Sequence, residues 1–140
     1  MKILIAVDGS AFTERLLNFV IGHPELLGGV PDVTLITSVP AVPPHAARFI
    51  GRDTLTEYYD EEAEKVLAPA RDVLARAGIA AKAVPCHGAA AATIAKYASS
   101  EGYDVVVMGS HGHSALANLA LGSVVTGVLA HCTTPVLIVR

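Results

Sequence analysis

Charge is scarce in this chain. Asp, Glu, Lys and Arg make up only 16% of its 140 residues, and none of them occurs from Val105 to Val139. No cluster of lysine or arginine is present and the net charge is -3, so neither nucleic acid nor an anionic membrane is expected as the main partner. Cysteine is nearly absent. Cys86 and Cys132 stand far apart and outside any CxxC pair, which excludes a disulfide framework and predicts two buried thiols in a reducing cytoplasm. Long apolar runs are missing too. The uncharged stretch is broken by Gly109, Gly112, Gly122, Gly127 and Pro135 and carries His111, His113, Asn118 and His131, whereas a membrane-spanning helix needs about 20 mostly apolar residues in one piece. The opening run Ile3–Val7 is too short for the core and cleavage site of a signal peptide, and is expected to be a strand.

What is present is core. Hydrophobic residues make up 52% of the chain, a composition of globular proteins. Ile3 to Val7 predicts a buried strand closed by the turn Asp8-Gly9-Ser10. Thr13 to Ile21 has apolar residues at helical spacing and is stopped by Gly22 and Pro24. Val33 to Ser38 predicts a second strand with Val39 at its end, and the proline-rich segment Pro40 to Arg52 predicts a loop. A long helix is expected from Thr54 or Thr56 to about Arg76, with Pro69 as a point of kinking. Its apolar stripe would be Val66, Leu67, Ala70, Val73, Leu74 and Ala77. A weaker strand follows at Ile79 to Val84, an alanine-rich helix at Ala89 to Ser99, a strand at Val105 to Met108, a helix at Ser123 to Ala130 and a last strand at Val136 to Val139.

Strict alternation of strand and helix predicts one α/β domain over residues 1–140: an open parallel sheet with helices on both faces and right-handed crossovers. Ligands of such sheets bind beyond the carboxyl ends of the strands, at the switch in strand order. The candidate site therefore gathers Ala6 to Gly9, Val39 and Gly109 to Gly112.

The strand Val105 to Met108 runs into Gly109-Ser110-His111-Gly112, and nine residues later comes Gly122-Ser123 at a helix start. Glycine admits close approach of the backbone, and a helix N-terminus offers free N–H groups and the positive end of a dipole, so the pattern suits phosphate. It is not a P-loop, since no lysine follows the glycines, and its spacing is not the dinucleotide GxGxxG.

These residues resemble the universal stress proteins of the nucleotide-binding type. The likeness covers nearly the whole chain: Ile3-Leu4-Ile5-Ala6-Val7-Asp8-Gly9-Ser10, Val105 to Gly112, Leu121-Gly122-Ser123-Val124, and Thr134 to Val139. The family's ATP-binding pattern G-x2-G-x9-G-[ST] is met at Gly109, Gly112, Gly122 and Ser123. The resemblance implies five parallel strands in the order 3-2-1-4-5, the adenine nucleotide alpha hydrolase-like fold. It also implies bound ATP or AMP, with Mg or Mn accompanying a triphosphate, and a homodimer. Asp8 and Val39 would lie by adenine and ribose, Gly109 and Gly112 by ribose and phosphates, and Gly122, Ser123 and Val124 on the phosphates. His111 and His113 stand where many relatives carry arginine or lysine, and protonation of these rings would favour phosphate as pH falls.

Chemistry on the nucleotide is not indicated. Phosphoryl transfer depends on lysine, arginine and magnesium to neutralise charge, and no catalytic constellation or protein-held metal site is visible. The resemblance extends to slow hydrolysis or self-phosphorylation in some members. A partner-binding protein of the same fold without nucleotide is the alternative. A nucleotidyl transferase would need an HxGH signature, which His111-Gly112-His113 does not complete. The apolar Val136 to Val139, an edge in this strand order, would pair with its copy in the homodimer.

Overall fold

The computed structural model describes residues 1–113 and 118–140. Its sheet has five parallel strands, β1 (Lys2–Ala6), β2 (Asp32–Val39), β3 (Ala81–His87), β4 (Val105–Gly109) and β5 (Val136–Val139), in the order β3-β2-β1-β4-β5. Each crossover carries a helix: α1 (Ala11–Gly22), α3 (Arg52–Arg76), α4 (Ala90–Ser100) and α5 (Ser123–His131). A short α2 (Pro44–Ala47) lies in the segment expected to be a loop. Pro44 is its first residue, where a missing N–H costs nothing.

Side chains alternate across the sheet and sort the helices into two layers. Ile3, Ile5, Val33, Leu35 and Val107 pack with Leu16, Leu17 and Val20 of α1 and Ala63, Leu67, Ala70 and Leu74 of α3. Leu4, Ile36, Val106 and Met108 pack on the other face with Ile94 and Ala98 of α4 and Val125 and Val128 of α5. This is the two-faced architecture expected from the alternation of elements, and the continuous apolar runs follow from burial on both faces.

Boundaries moved where local chemistry overrides hydropathy. The strand expected at Ile79 to Val84 is Ala81–His87. Ile79 belongs to the end of α3: Gly78 takes φ +79°, and its N–H and that of Ile79 donate to Ala75 O at 3.0 Å and Leu74 O at 2.9 Å. This left-handed cap satisfies the last carbonyls of the helix and leaves Ala77 exposed. The strand runs on through Pro85 because β3 is an edge, where one missing ladder donor is tolerated. Helix α3 runs through Pro69 without interruption. Pro69 is on its exposed side, so the carbonyl it leaves unpaired can be met by water.

Candidate functional site

The ends of β1 and β4 diverge because their crossovers leave in opposite directions. The result is a cavity of about 540 Å³ bounded by β2, β1, β4 and the start of α5. The ten residues singled out in the sequence, Ala6, Asp8, Val39, Gly109, His111, Gly112, His113, Gly122, Ser123 and Val124, all line it. The cavity also takes Phe12 and Thr13 from α1, Thr37 and Ser38 from β2, and Glu62 and Val66 from α3. Sequence reasoning missed these. Thr13 had a signal in its five-residue spacing from Asp8, but Glu62 and Val66 reach the site only through the way α3 crosses the sheet.

The loop after β1 is closed on itself. Asp8 N–H and Gly9 N–H donate to Thr13 Oγ1 at 3.0 and 3.1 Å. The Thr13 hydroxyl and Ser10 N–H donate in turn to Asp8 Oδ1 at 3.0 and 2.9 Å. Gly9 sits at φ +76°, a turn conformation natural to glycine. These amides are consumed within the loop, while Ser10, the N-cap of α1, makes no side-chain cap hydrogen bond.

Helix α5 starts at the same cavity. Its N-cap is Gly122, which brings no side chain to cap the helix. Ser123, expected at the helix start, is the first helical residue rather than the cap. Thr126 N–H donates to Gly122 O at 3.1 Å, the first turn of the helix. The N–H groups of Ser123, Val124 and Val125 precede this bond and point out of the helix end. All three residues line the cavity.

The motif glycines fit because the protein's own atoms crowd them. A methyl group at Gly112 would sit 2.5 Å from Asp8 Oδ2, and one at Gly109 would sit 2.9 Å from Phe12 Cβ. At Gly122 it would lie 3.1 Å from His111 Cα and 3.3 Å from Ser110 O. Gly122 N–H donates to Ser110 O at 2.7 Å, so this amide braces the loop and is not free for phosphate.

Both histidines are turned to protein carbonyls. His111 Nε2–H donates to Leu119 O at 2.8 Å, and its Nδ1 lies 2.9 Å from the hydroxyl of the buried Ser110. With Nε2 as donor, the tautomer carrying no hydrogen on Nδ1 accepts the hydrogen bond of the Ser110 hydroxyl there. His113 Nε2–H donates to Asp8 O at 2.6 Å, across the mouth of the cavity. Among the described residues His113 Nδ1 has no hydrogen-bond partner, whereas both nitrogens of His111 are engaged.

No lysine or arginine lines the cavity among the described residues. Glu62 lines it and pairs with Lys65 at 2.5 Å, and this hydrogen bond holds the Lys65 ammonium above its ordinary pKa. Among the described residues no three His, Cys, Asp or Glu side chains come together to hold a metal. Asp8 and Glu62 are the carboxylates of the cavity's described lining. Cys86 and Cys132 are half-buried free thiols, and burial pushes the Cys86 thiol up. Among the described residues no helix is long and apolar enough to cross a membrane.

Comparison with known proteins agrees with this geometry. The chain is 33% identical over 150 residues to Universal stress protein YxiE of Bacillus subtilis, covering 99% of this chain and 98% of that protein. It is 31% identical over 139 residues to Universal stress protein Slr1230 of Synechocystis, covering 99% of this chain but only 42% of that longer protein. Among solved structures, MJ0577 of Methanocaldococcus jannaschii superposes with a TM-score of 0.81 at 29% identity, over 99% of this chain and 94% of that one. The universal stress protein of Archaeoglobus fulgidus in complex with dAMP shares the fold, with a TM-score of 0.71 at 22% identity, over 100% and 98% of the two chains. The sequence profile of the Universal stress protein family matches residues 1–140, and the chain belongs to that family.

Proposed function

We propose that this chain binds an adenine nucleotide, ATP or AMP, in the cavity at the ends of β1, β2 and β4, and serves a stress response through binding rather than turnover. One observation carries the reading: the ten residues singled out in the sequence, from four separate segments of chain, line one cavity, and the N-terminus of α5 opens onto it with a glycine cap, a fit for phosphate. Val39 and Pro40 offer the base an apolar wall at the β2 end. Asp8 Oδ2 is the carboxylate oxygen left over for ribose hydroxyls, since Oδ1 is engaged. Gly109 and Gly112 let the loops after β1 and β4 pack closely beside the ligand, and Ser123 and Val124 with their amides receive the phosphate. The Archaeoglobus fulgidus relative with dAMP supports an adenine ligand on this fold.

The lack of lysine and arginine around the phosphate position supports binding over catalysis. The half-buried strand β5, paired on one side to β4, is proposed to join its copy in an antiparallel homodimer. The free thiols fit a reducing cytoplasm. Mass spectrometry of ligand released from freshly purified protein tests the reading. An adenine nucleotide near one per chain is expected. Recovery of a different ligand class, together with no uptake of added AMP or ATP, would overturn it.

A further inference from the structure

We propose that Tyr59 is a positioning residue for the cavity: its hydroxyl latches the strap that follows β2, and the latch holds Pro40 in place as the wall at the β2 end. The inference rests on the adenine-nucleotide reading above and adds to it a residue that acts without touching the ligand.

The strap, residues 40–50, has little else to hold it. Pro40, Pro43 and Pro44 have no N–H, which leaves Ala41 and Val42 as the donors before α2 begins. The amides of Ala46, Ala47, Arg48, Phe49 and Ile50 are spent on carbonyls of the strap itself. Among the described residues, the one hydrogen bond from the strap to another part of the chain runs from Val42 N–H to the Tyr59 hydroxyl, at 2.8 Å. Packing adds little, since α2 has no buried residue and Phe49 is 81% exposed.

Tyr59 itself is fixed. It packs against the core on the α1 and α3 side of the sheet. Its ring lies flat on that of His87, with centroids 4.3 Å apart and 4° between the planes. His87 ends β3 in register with Val39, the end of β2, and Gly88 N–H donates to Val39 O at 2.9 Å. The contacts close a circuit from the end of β2 through His87 and Tyr59 to Val42, two residues beyond Pro40. On α3, Glu62 and Val66 follow Tyr59 at the spacing of one helix face, and both line the cavity with Val39 and Pro40. Tyr59 is not itself in the lining, so it acts through Pro40. Without the hydroxyl the strap would take several positions, and affinity falls with the fraction of molecules in which Pro40 stands in place.

Calorimetric titration with AMP and amide exchange of the ligand-free protein, both on wild type and Tyr59→Phe, test this. The variant keeps the ring and its stack and removes only the acceptor. The Val42 amide is expected to exchange about three- to tenfold faster, with the amides of the core strands unchanged, and AMP to bind weaker by a similar factor. At the exposed His87, His87→Ala should weaken AMP in the same direction and His87→Phe should restore it. In the Tyr59→Phe background, His87→Ala should cost less than in wild type. Unchanged Val42 exchange or unchanged AMP affinity in Tyr59→Phe would overturn the latch and leave the nucleotide reading standing. His87→Ala binding AMP as tightly as wild type would equally overturn it. A wild-type protein that takes up no adenine nucleotide would overturn both.

Discussion

Three glycines of the motif are held by neighbours that leave no room for a Cβ. The Gly112→Ala methyl would meet Asp8 Oδ2 at 2.5 Å and push apart the loops after β1 and β4. Overpacking of this kind costs about 1–3 kcal/mol, so thermal denaturation of Gly112→Ala should show a lowered Tm together with weaker nucleotide binding. Gly122→Val is a poor probe of ligand contact for the same reason, because the backbone of Ser110 and His111 lies against that position. Ser123→Ala is the cleaner probe. It removes one hydroxyl at the cavity and should leave Tm within error, while AMP affinity falls by about 1–2 kcal/mol in a calorimetric titration.

The helices differ in what made them legible. Helix α5 was read from one serine and a glycine spacing, and its start is where the sequence put it. Gly122 as cap was not foreseen, because a cap is defined by backbone angles that hydropathy does not encode. The Pro40 to Arg52 segment was read as loop and contains α2, since four residues are too few to show a period. Glu62 and Val66 could not be assigned to the site at all: the pattern of α3 says which face is buried, not which residue reaches a cavity beyond the sheet. Gly127 on α5 shows the same limit. It read as an interruption, yet it is where α5 meets α4, and a methyl there would lie 2.5 Å from Ala91 Cβ. Gly127→Ala should therefore destabilise the protein by about 1–3 kcal/mol in chemical denaturation, although alanine is the better helix former. Burial holds the Cys86 thiol protonated at neutral pH, so alkylation by iodoacetamide near pH 7.5 should be slower than for an exposed cysteine.

At the scale of the molecule the reading of the sequence was strongest, because strand order follows from few rules. Alternating elements demand a parallel sheet, and the resemblance supplied the order 3-2-1-4-5, which is the one found. That order places β1 beside β4, opens the cavity between them, and brings Asp8 within hydrogen-bonding reach of the loop that carries His113, more than a hundred residues away. It also leaves β5 at an edge. Light scattering at micromolar concentration is expected to give a dimer, and a monomer would count against pairing through β5. The central claim is that the nucleotide sits across the ends of β1 and β4 with its phosphate on α5. An amide-resolved NMR titration with AMP tests it most directly. The account predicts saturable shifts concentrated at Asp8, Gly109, Gly112, Ser123 and Val124; shifts absent there, or centred on the shallow hollow at Lys96 and His131, would contradict it.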